Sequence, residues 1–251
     1  MRRLLLLLLI ATSAEAADQK ILIPVYYNGP GAGTLWRTAL VIENKMSQGF
    51  RSPGTTFATQ CPIPEGCFVD TIPAGQLGFL VLTTAPGGLL LMAPADEADK
   101  LVMRLEIAAI PRNPLVGVGT AIPIVRERDF RTSTVTLLDV AVGAGNRARV
   151  RVYDPDSNDG AQVRVSIRPW SSSAAIDSRT VPLHVLPRVG TSTPLPAPAY
   201  AEFDVAETFP AAAMTGFNFN IDVEPLTSGL RFWAFATVTT SANDVTAIWP
   251  Q

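Results

Sequence analysis

The stretch GTLWRTALVIEN, residues 33–44, decides the fold class of this chain. Its run of apolar and β-branched residues fits a strand, in which alternate side chains point to opposite faces of a sheet. The side chains that share one face are Trp36, Thr38, Leu40 and Ile42. We expect Trp36 to anchor the inner face and Arg37 to point the other way.

Further segments of this kind follow along the chain. They are short, rich in Val, Ile, Leu, Thr and aromatic residues, and bounded by Gly, Pro, Asn and Asp. The predicted strands are residues 21–27, 36–43, 77–83, 101–109, 134–140, 147–153, 161–168, 179–186, 216–224 and 230–240. Helical candidates are single turns near residues 95–100 and 205–209, and no βαβ alternation is seen. The sequence therefore predicts an all-β sandwich or barrel.

The opening motif is repeated in the second half of the chain. Trp-Arg-Thr at residues 36–38 returns as Phe-Arg-Thr at 130–132, and Ile-Pro-Val at 23–25 returns as Ile-Pro-Ile at 122–124. The second copy lacks the loop at residues 28–33, where an insertion is tolerated. We predict two related antiparallel β-sandwich domains in tandem, residues 17–127 and 128–251. The alternative is one larger sandwich.

The N-terminus is typical of a secretory signal peptide. Two arginines precede the apolar run at residues 4–10, and Ala14 and Ala16 are the small residues that a signal peptidase recognises. The apolar run is too short for a membrane span of about 20 residues. We predict a signal peptide at residues 1–16, cleaved after Ala16 or Ala17. The mature protein would then be secreted or periplasmic in a bacterium.

The charge distribution disfavours nucleic acid as a partner. The formal net charge is −2, and Lys and Arg form no basic cluster. The densest charged run, residues 126–129, alternates in sign and is interpreted as a solvated connector. Residues 71–95 carry no charge, but Pro86-Gly87-Gly88 is a turn signal within them. We predict a buried hairpin there rather than a membrane span, with residues 77–83 returning through 89–92.

The two cysteines, Cys61 and Cys67, form a close pair in a chain predicted to be exported. Such a pair favours a disulfide, worth about 2 kcal/mol for so small a ring. Zinc would need further Cys or His ligands, and His184 is the only histidine. We predict no metal and no cofactor.

Catalytic candidates are few. His184 lies in an apolar stretch, and no Gly-x-Ser-x-Gly motif exists for a serine hydrolase. The polar run at residues 153–160 approaches a calcium-binding loop, but its glycine falls one place late and Val165 replaces the bidentate Glu. Asp159-Gly160 is interpreted instead as a hairpin turn. The protein is predicted not to be an enzyme.

Loop aromatics are the best candidates for binding. Trp170 lies between Arg168-Pro169 and a run of serines, so strand alternation explains it least. Tyr26 and Tyr27 precede the Gly-Pro-Gly loop and face opposite ways, so we expect one of them to be exposed. The competing interpretation of Trp170 is a lid folded over the core.

These framework motifs resemble those of uncharacterised secreted bacterial proteins built from tandem immunoglobulin-like β-sandwich units. The matching segments are Ile-Pro-Val, the Pro-Gly loop and Trp-Arg-Thr-x-Leu-x-x-x-Asn before residue 45, Arg-Val-Tyr-Asp at 151–154, and residues 223–235. The resemblance covers most of the mature chain. It implies two immunoglobulin-like domains and carries no activity or ligand.

Three functions follow from these observations. The favoured hypothesis is a secreted, non-catalytic structural or interaction protein with an unknown protein or glycan partner. The second is a carbohydrate- or peptide-binding module that uses the loop aromatics, and the third is an unrecognised hydrolase. An exposed aromatic strip would favour the second, and a cleft with convergent carboxylates the third.

Overall fold

The structure is a computed structural model of the 251-residue chain. It describes residues 18–31, 34–59, 67–81, 84–85, 87–110, 119–143, 145–186, 197–213 and 218–250. The predicted signal peptide lies outside the described residues. The fold is all-β, with antiparallel sheets, which confirms the predicted class.

Most of the strands are short, whereas β4 and β10 contain 11 and 10 residues. In the first half they are β1 (Gln19–Ile23), β2 (Tyr26–Tyr27), β3 (Gly29–Gly31), β4 (Thr34–Asn44), β5 (Phe57–Thr59), β6 (Cys67–Val69), β7 (Leu77–Leu80), β8 (Thr84–Ala85), β9 (Leu89–Ala93), β10 (Leu101–Ile110) and β11 (Thr120–Ile122). In the second half they are β12 (Val135–Ala141), β13 (Arg147–Asp154), β14 (Gln162–Pro169), β15 (Asp177–Pro182), β16 (His184–Val185), β17 (Ala199–Asp204), β18 (Asn218–Pro225), β19 (Trp233–Thr239) and β20 (Val245–Ile248). The helical elements are α1 (Val205–Thr208), α2 (Pro210–Ala213) and two 3₁₀ turns, Ala98–Lys100 and Glu127–Asp129.

A seven-stranded sheet dominates the first half. Its order is β11-β10-β4-β7-β5-β6, with β3 also paired to β4, and the pairs β1-β9 and β2-β8 form two small sheets. In β4 the predicted inner face is confirmed, because Thr38, Leu40 and Ile42 are buried. Trp36 lies on that face but is only half-buried, so it is not the main anchor.

Two polar side chains fix β4 within this sheet. The Thr38 hydroxyl donates to the Tyr27 carbonyl and accepts from its N–H, both at 3.0 Å. The buried Asn44 amide donates to the carbonyls of Gln48 and Ile72 at 2.9 and 2.8 Å. Because buried amides need such partners, Asn44 holds the turn that follows β4.

The second half contains two larger sheets. Their orders are β12-β18-β14-β15 and β16-β17-β13-β19-β20. A cluster of buried apolar residues, including Val150, Val163, Ile221 and Ala234, fills the space between them. This arrangement is a layered β-sandwich.

Part of the other face of the five-stranded sheet is also buried. Tyr153, Trp233 and Phe235 project from it into the apolar cluster of the first half. Trp233 and Phe235 stack with ring centroids 5.1 Å apart, and each lies 6.3 Å from Tyr153. The core of the first half is therefore completed by residues from the last strands of the chain.

The predicted hairpin in the charge-free segment is wrong. β7 pairs with β4 and β5, whereas β9 pairs with β1 in a different sheet. Each strand has a buried apolar face, and the sequence could not show that the faces meet different neighbours. Within the described ranges, no helix has the length and apolar character that a membrane crossing requires.

The interpretation of Asp159-Gly160 as a hairpin turn is also wrong. The flanking strands β13 and β14 belong to different sheets, so the segment is a crossing between layers. Gly160 nevertheless has a φ of +81°, the left-handed conformation that glycine favours.

The charged run that begins at Arg126 is not a solvated connector. The Arg126 guanidinium donates to the carbonyls of Ala98 and Leu101 at 2.7 and 2.6 Å, and Arg128 donates to both carboxylate oxygens of Asp99 at 2.8 Å. These bonds tie the segment to the 3₁₀ turn that precedes β10. The link between the two halves of the chain is therefore fixed in place.

Candidate functional site

Trp170 lies directly after β14 and is 69% exposed. It is therefore not a lid over the core. Leu138 of β12 and Ile176, directly before β15, are exposed apolar residues of the same four-stranded sheet. Arg168, two residues before Trp170, donates to Asp222 at 2.8 Å.

Tyr26 and Tyr27 do not form a binding site with Trp170. Tyr26 is only 4% exposed, and its hydroxyl donates to the Leu80 carbonyl at 2.7 Å. Tyr27 is half-buried and donates to the Pro30 carbonyl at 2.7 Å. Tyr27 therefore supports the loop before β4, and Tyr26 is bound to the end of β7. Both lie on a different sheet from Trp170.

The predicted disulfide lies partly outside the described residues. Cys67 begins β6, which pairs with β5, whereas Cys61 is not described. The Cys61–Cys67 bridge stays a prediction.

The acidic residues at the end of β13 and in the loop after it accept hydrogen bonds from different backbone N–H groups. Asp154 is fully buried, and its carboxylate accepts the N–H groups of Asp156 and Asn158, each at 2.8 Å. Asp159 accepts the Val185 N–H at 3.0 Å. Among the described residues no group of three or more His, Cys, Asp or Glu side chains is placed to hold a metal ion. The loop is thus ordered by its own carboxylates.

His184 lies in β16, at an edge of the five-stranded sheet. Its side chain is exposed, and Nδ1 lies 3.4 Å from Asp159 Oδ1. This placement matches an edge residue with a single polar neighbour.

An exposed apolar surface covers the middle of the seven-stranded sheet. We call it the outer apolar face, and it consists of Val41 of β4, Ala58 of β5, Phe68 of β6, Leu77 and Phe79 of β7, and Val81. Phe68 is 70% exposed, and Leu77 and Phe79 are 48% and 47% exposed. Two aromatic rings and a leucine are therefore presented to solvent on one side of the sheet.

β7 explains why this face is apolar. Its inward residues Gly78 and Leu80 are buried, and its outward residues Leu77 and Phe79 are equally apolar. Strands of an antiparallel sheet with one solvated face normally carry polar residues outward, whereas strands covered on both sides are apolar throughout. β7 has the sequence of a strand that is covered on both sides. The charge-free span at residues 71–95 contains β7 and is the sequence feature that indicates two apolar faces. The hairpin prediction assigned this feature to a pairing within the span.

A small cleft lies where the two halves of the chain meet. Its volume is about 270 Å³, and its lining includes Asp129, Arg131, Trp233 and Trp249. Asp129 Oδ2 already accepts the Arg126 N–H at 2.7 Å. Sites for drug-sized ligands usually have roughly 300–1,000 Å³. The cleft therefore has room for only a small group, and we place the candidate interaction site on the outer apolar face.

Four charged side chains join β1, the linker and the second half. Arg231 donates to both carboxylate oxygens of Asp156, at 2.8 and 2.7 Å, and to Glu127. Lys20 Nζ donates to Asp156 Oδ1 at 2.7 Å, and the Lys20 N–H donates to Glu127 at 3.1 Å. The hydrogen bonds from Arg231, followed by those from Lys20, lower the pKa of Asp156 to about 2.

This depressed pKa gives an acid dependence of stability. The ionised Asp156 stabilises the fold fully above its ordinary pKa of 3.8, and the stabilisation is lost as the pH falls through about 2. We expect Asp156→Asn to lower the free energy of unfolding at pH 7 by about 1 kcal/mol after solvent screening. It should also flatten the stability profile between pH 4 and pH 2, measured by urea unfolding at each pH. Asp96→Asn, at an exposed aspartate, is the control, and equal profiles for the two variants would contradict the assignment.

Comparisons with protein-family models, curated proteins and solved structures found no match to this chain.

Proposed function

We propose that the protein is an exported, non-catalytic interaction protein that binds its partner through the outer apolar face. In this proposal the chain consists of two immunoglobulin-like β-sandwich domains, residues 17–127 and 128–251, and Cys61 and Cys67 form a disulfide. The export signal at residues 1–16 is removed before the protein acts.

The observation that carries this proposal is the exposure of Phe68, Leu77 and Phe79 on one sheet face. Single exposed apolar residues are common on protein surfaces. A contiguous exposed apolar surface of several hundred Å² is typical instead of a site of interaction. The layered antiparallel sheets supply a rigid platform for such a surface.

Site-specific photocrosslinking in cells that export the protein tests the proposed face. A photoreactive residue at Phe79 should give a discrete crosslinked product, because the partner covers that position. The same residue at Arg164, exposed on the other outer sheet, should give none. Absence of a product at Phe79, with the variant exported normally, would reject the outer apolar face as the binding site.

Export has its own test. Because Ala14 and Ala16 fit the signal-peptidase pattern, N-terminal sequencing of the exported protein should begin at Ala17 or Asp18. A variant with Ala16→Tyr should keep its leader. An exported chain that still begins at Met1 would contradict the predicted signal peptide.

A second candidate function rests on the exposure of Trp170. An indole ring beside polar groups can stack on a sugar or on a proline of a peptide. Retention of the protein on an insoluble polysaccharide that is lost in Trp170→Ala, and kept in Phe79→Asp, would favour this carbohydrate- or peptide-binding function.

A further inference from the structure

The outer apolar face is organised as a straight row across five strands. The register aligns Arg104 of β10 with Val41, Val41 with Phe79, Phe79 with Ala58, and Ala58 with Phe68. β7 therefore lies at the centre of the row, with two strands on each side. Neighbouring strands are about 4.8 Å apart, so the row spans roughly 19 Å.

We infer that the occupant of the outer apolar face is a second copy of this chain, which packs face to face on it with the two-fold axis along β7. This inference rests on the proposed interaction function and names its partner. In such a dimer each sheet covers the outward side chains of the other, and β7 becomes buried on both sides, as its sequence requires.

The row is self-complementary about β7, which an isologous interface demands. Rotation about this axis places Phe79 against Phe79 of the second copy and Val41 against the smaller Ala58. It also places Arg104 over the Phe68 ring. A guanidinium over an aromatic face is a favourable cation–π pair. Arg104 is the charged end of the row, and Phe68 is its most exposed aromatic end.

The area fits a dimer. The six residues of the outer apolar face expose roughly 400 Å² of mainly apolar surface, within the range of the largest functional patches on monomers. A standard interface takes about 800 Å² from each partner, including a polar rim. The rim here is supplied by Glu43, Arg104 and Glu106, which lie beside the apolar residues on the same outward side of β4 and β10.

The arrangement also distinguishes this face from the other outer sheet. The outward residues of β14 and β18 form ion pairs, Arg164 with Glu224 at 2.9 Å and Arg168 with Asp222 at 2.8 Å. Ion pairs on the outer apolar face, Arg104 with Glu106 and Glu43 with Lys45, both at 3.3 Å, lie at its rim. Those of β14 and β18 lie instead on the two central strands of their sheet, where face-to-face packing would desolvate them. Dimerisation through the seven-stranded sheet is therefore favoured over the other face.

Sedimentation of the purified mature protein at micromolar concentration is the experiment. We expect the wild-type protein to be a dimer. Phe79→Asp should raise the dissociation constant at least about 100-fold, since it places two unpaired carboxylates at the two-fold axis. Leu138→Asp, an apolar-to-acid change on the four-stranded sheet at a residue that is 59% exposed, should leave the dimer intact. Urea midpoints of both variants, measured below the dissociation constant, verify that each is folded.

A second measurement tests the axis. Phe79→Cys should form a crosslink to the same position of the second copy, because a residue on a two-fold axis meets itself, whereas Leu138→Cys should not. If Phe79→Asp fails to fold, Leu77→Lys gives the same test at the next outward position of β7. A monomeric wild-type protein, or a dimer that survives the β7 substitutions, overturns the inference. A monomer that still crosslinks to a different protein from Phe79 in cells would leave the proposed function standing and reject self-association.

Discussion

Tyr153→Ala should lower the free energy of unfolding by about 3–5 kcal/mol, the usual cost of removing a large buried aromatic side chain. Tyr153 is fully buried and stacks with Tyr200 and Phe235, and its hydroxyl donates to the Pro24 carbonyl. Burial raises the pKa of the Tyr153 hydroxyl, so it remains a donor throughout the ordinary pH range. Urea unfolding followed by tryptophan fluorescence measures the loss.

The position of Tyr153 between the two halves predicts a further effect. Its ring extends from β13 into the apolar cluster of the first half, so its removal should broaden the unfolding transition or split it into two. Phe219→Ala is the matched control, because Phe219 is equally buried but lies within the cluster of the second half. A single sharp transition of unchanged slope in Tyr153→Ala would contradict this linking role.

Gly88→Ala should destabilise the fold by about 3 kcal/mol, from left-handed backbone strain together with overpacking. The φ of Gly88 is +72°, and a Cβ atom there would lie 2.9 Å from the Ile23 carbonyl oxygen and 3.0 Å from that of Pro24. It would also lie 3.2 Å from the Tyr153 ring. Backbone oxygens cannot move aside as a flexible side chain can, so the clash must be relieved by shifting β1.

Gly160→Ala separates strain from crowding. Gly160 has a similar φ of +81°, but nothing lies within 4 Å of the added Cβ atom. We expect a loss of only about 1 kcal/mol from strain. Equal urea midpoints for the two glycine variants would show that the carbonyls of Ile23 and Pro24 leave room for a Cβ atom at residue 88 in solution.

The strands could be predicted from sequence because their signals are local. The alternation in β4 and the turn residues around β13 and β18 placed these strands to within about two residues. Their partners could not be predicted in the same way, because pairing depends on residues far apart in the chain. Leu89–Ala93 is equally apolar whether it pairs with β7 or with β1, and only the structure distinguishes them.

The residues of the candidate site were likewise predicted only in part. The exposure of Trp170 excludes the lid over the core that its sequence context left open. Tyr26 is buried, and its hydroxyl donates to the carbonyl of Leu80, the last residue of β7. The outer apolar face was missed, although its signal was present. Apolar residues at both odd and even positions of a strand indicate that both of its faces are buried. They do not show whether the second face is covered by the same chain or by another molecule.

The contribution of Trp233 and Phe235 to the core of the first half has a consequence for biosynthesis. A nascent polypeptide leaves the ribosome N-terminus first, so β1 to β11 emerge long before these two rings. Their apolar surface stays open until the last strands arrive, and exposed strands of this kind aggregate unless they are shielded. The first half of the chain therefore reaches its final packing only after Trp233 and Phe235 have been synthesised.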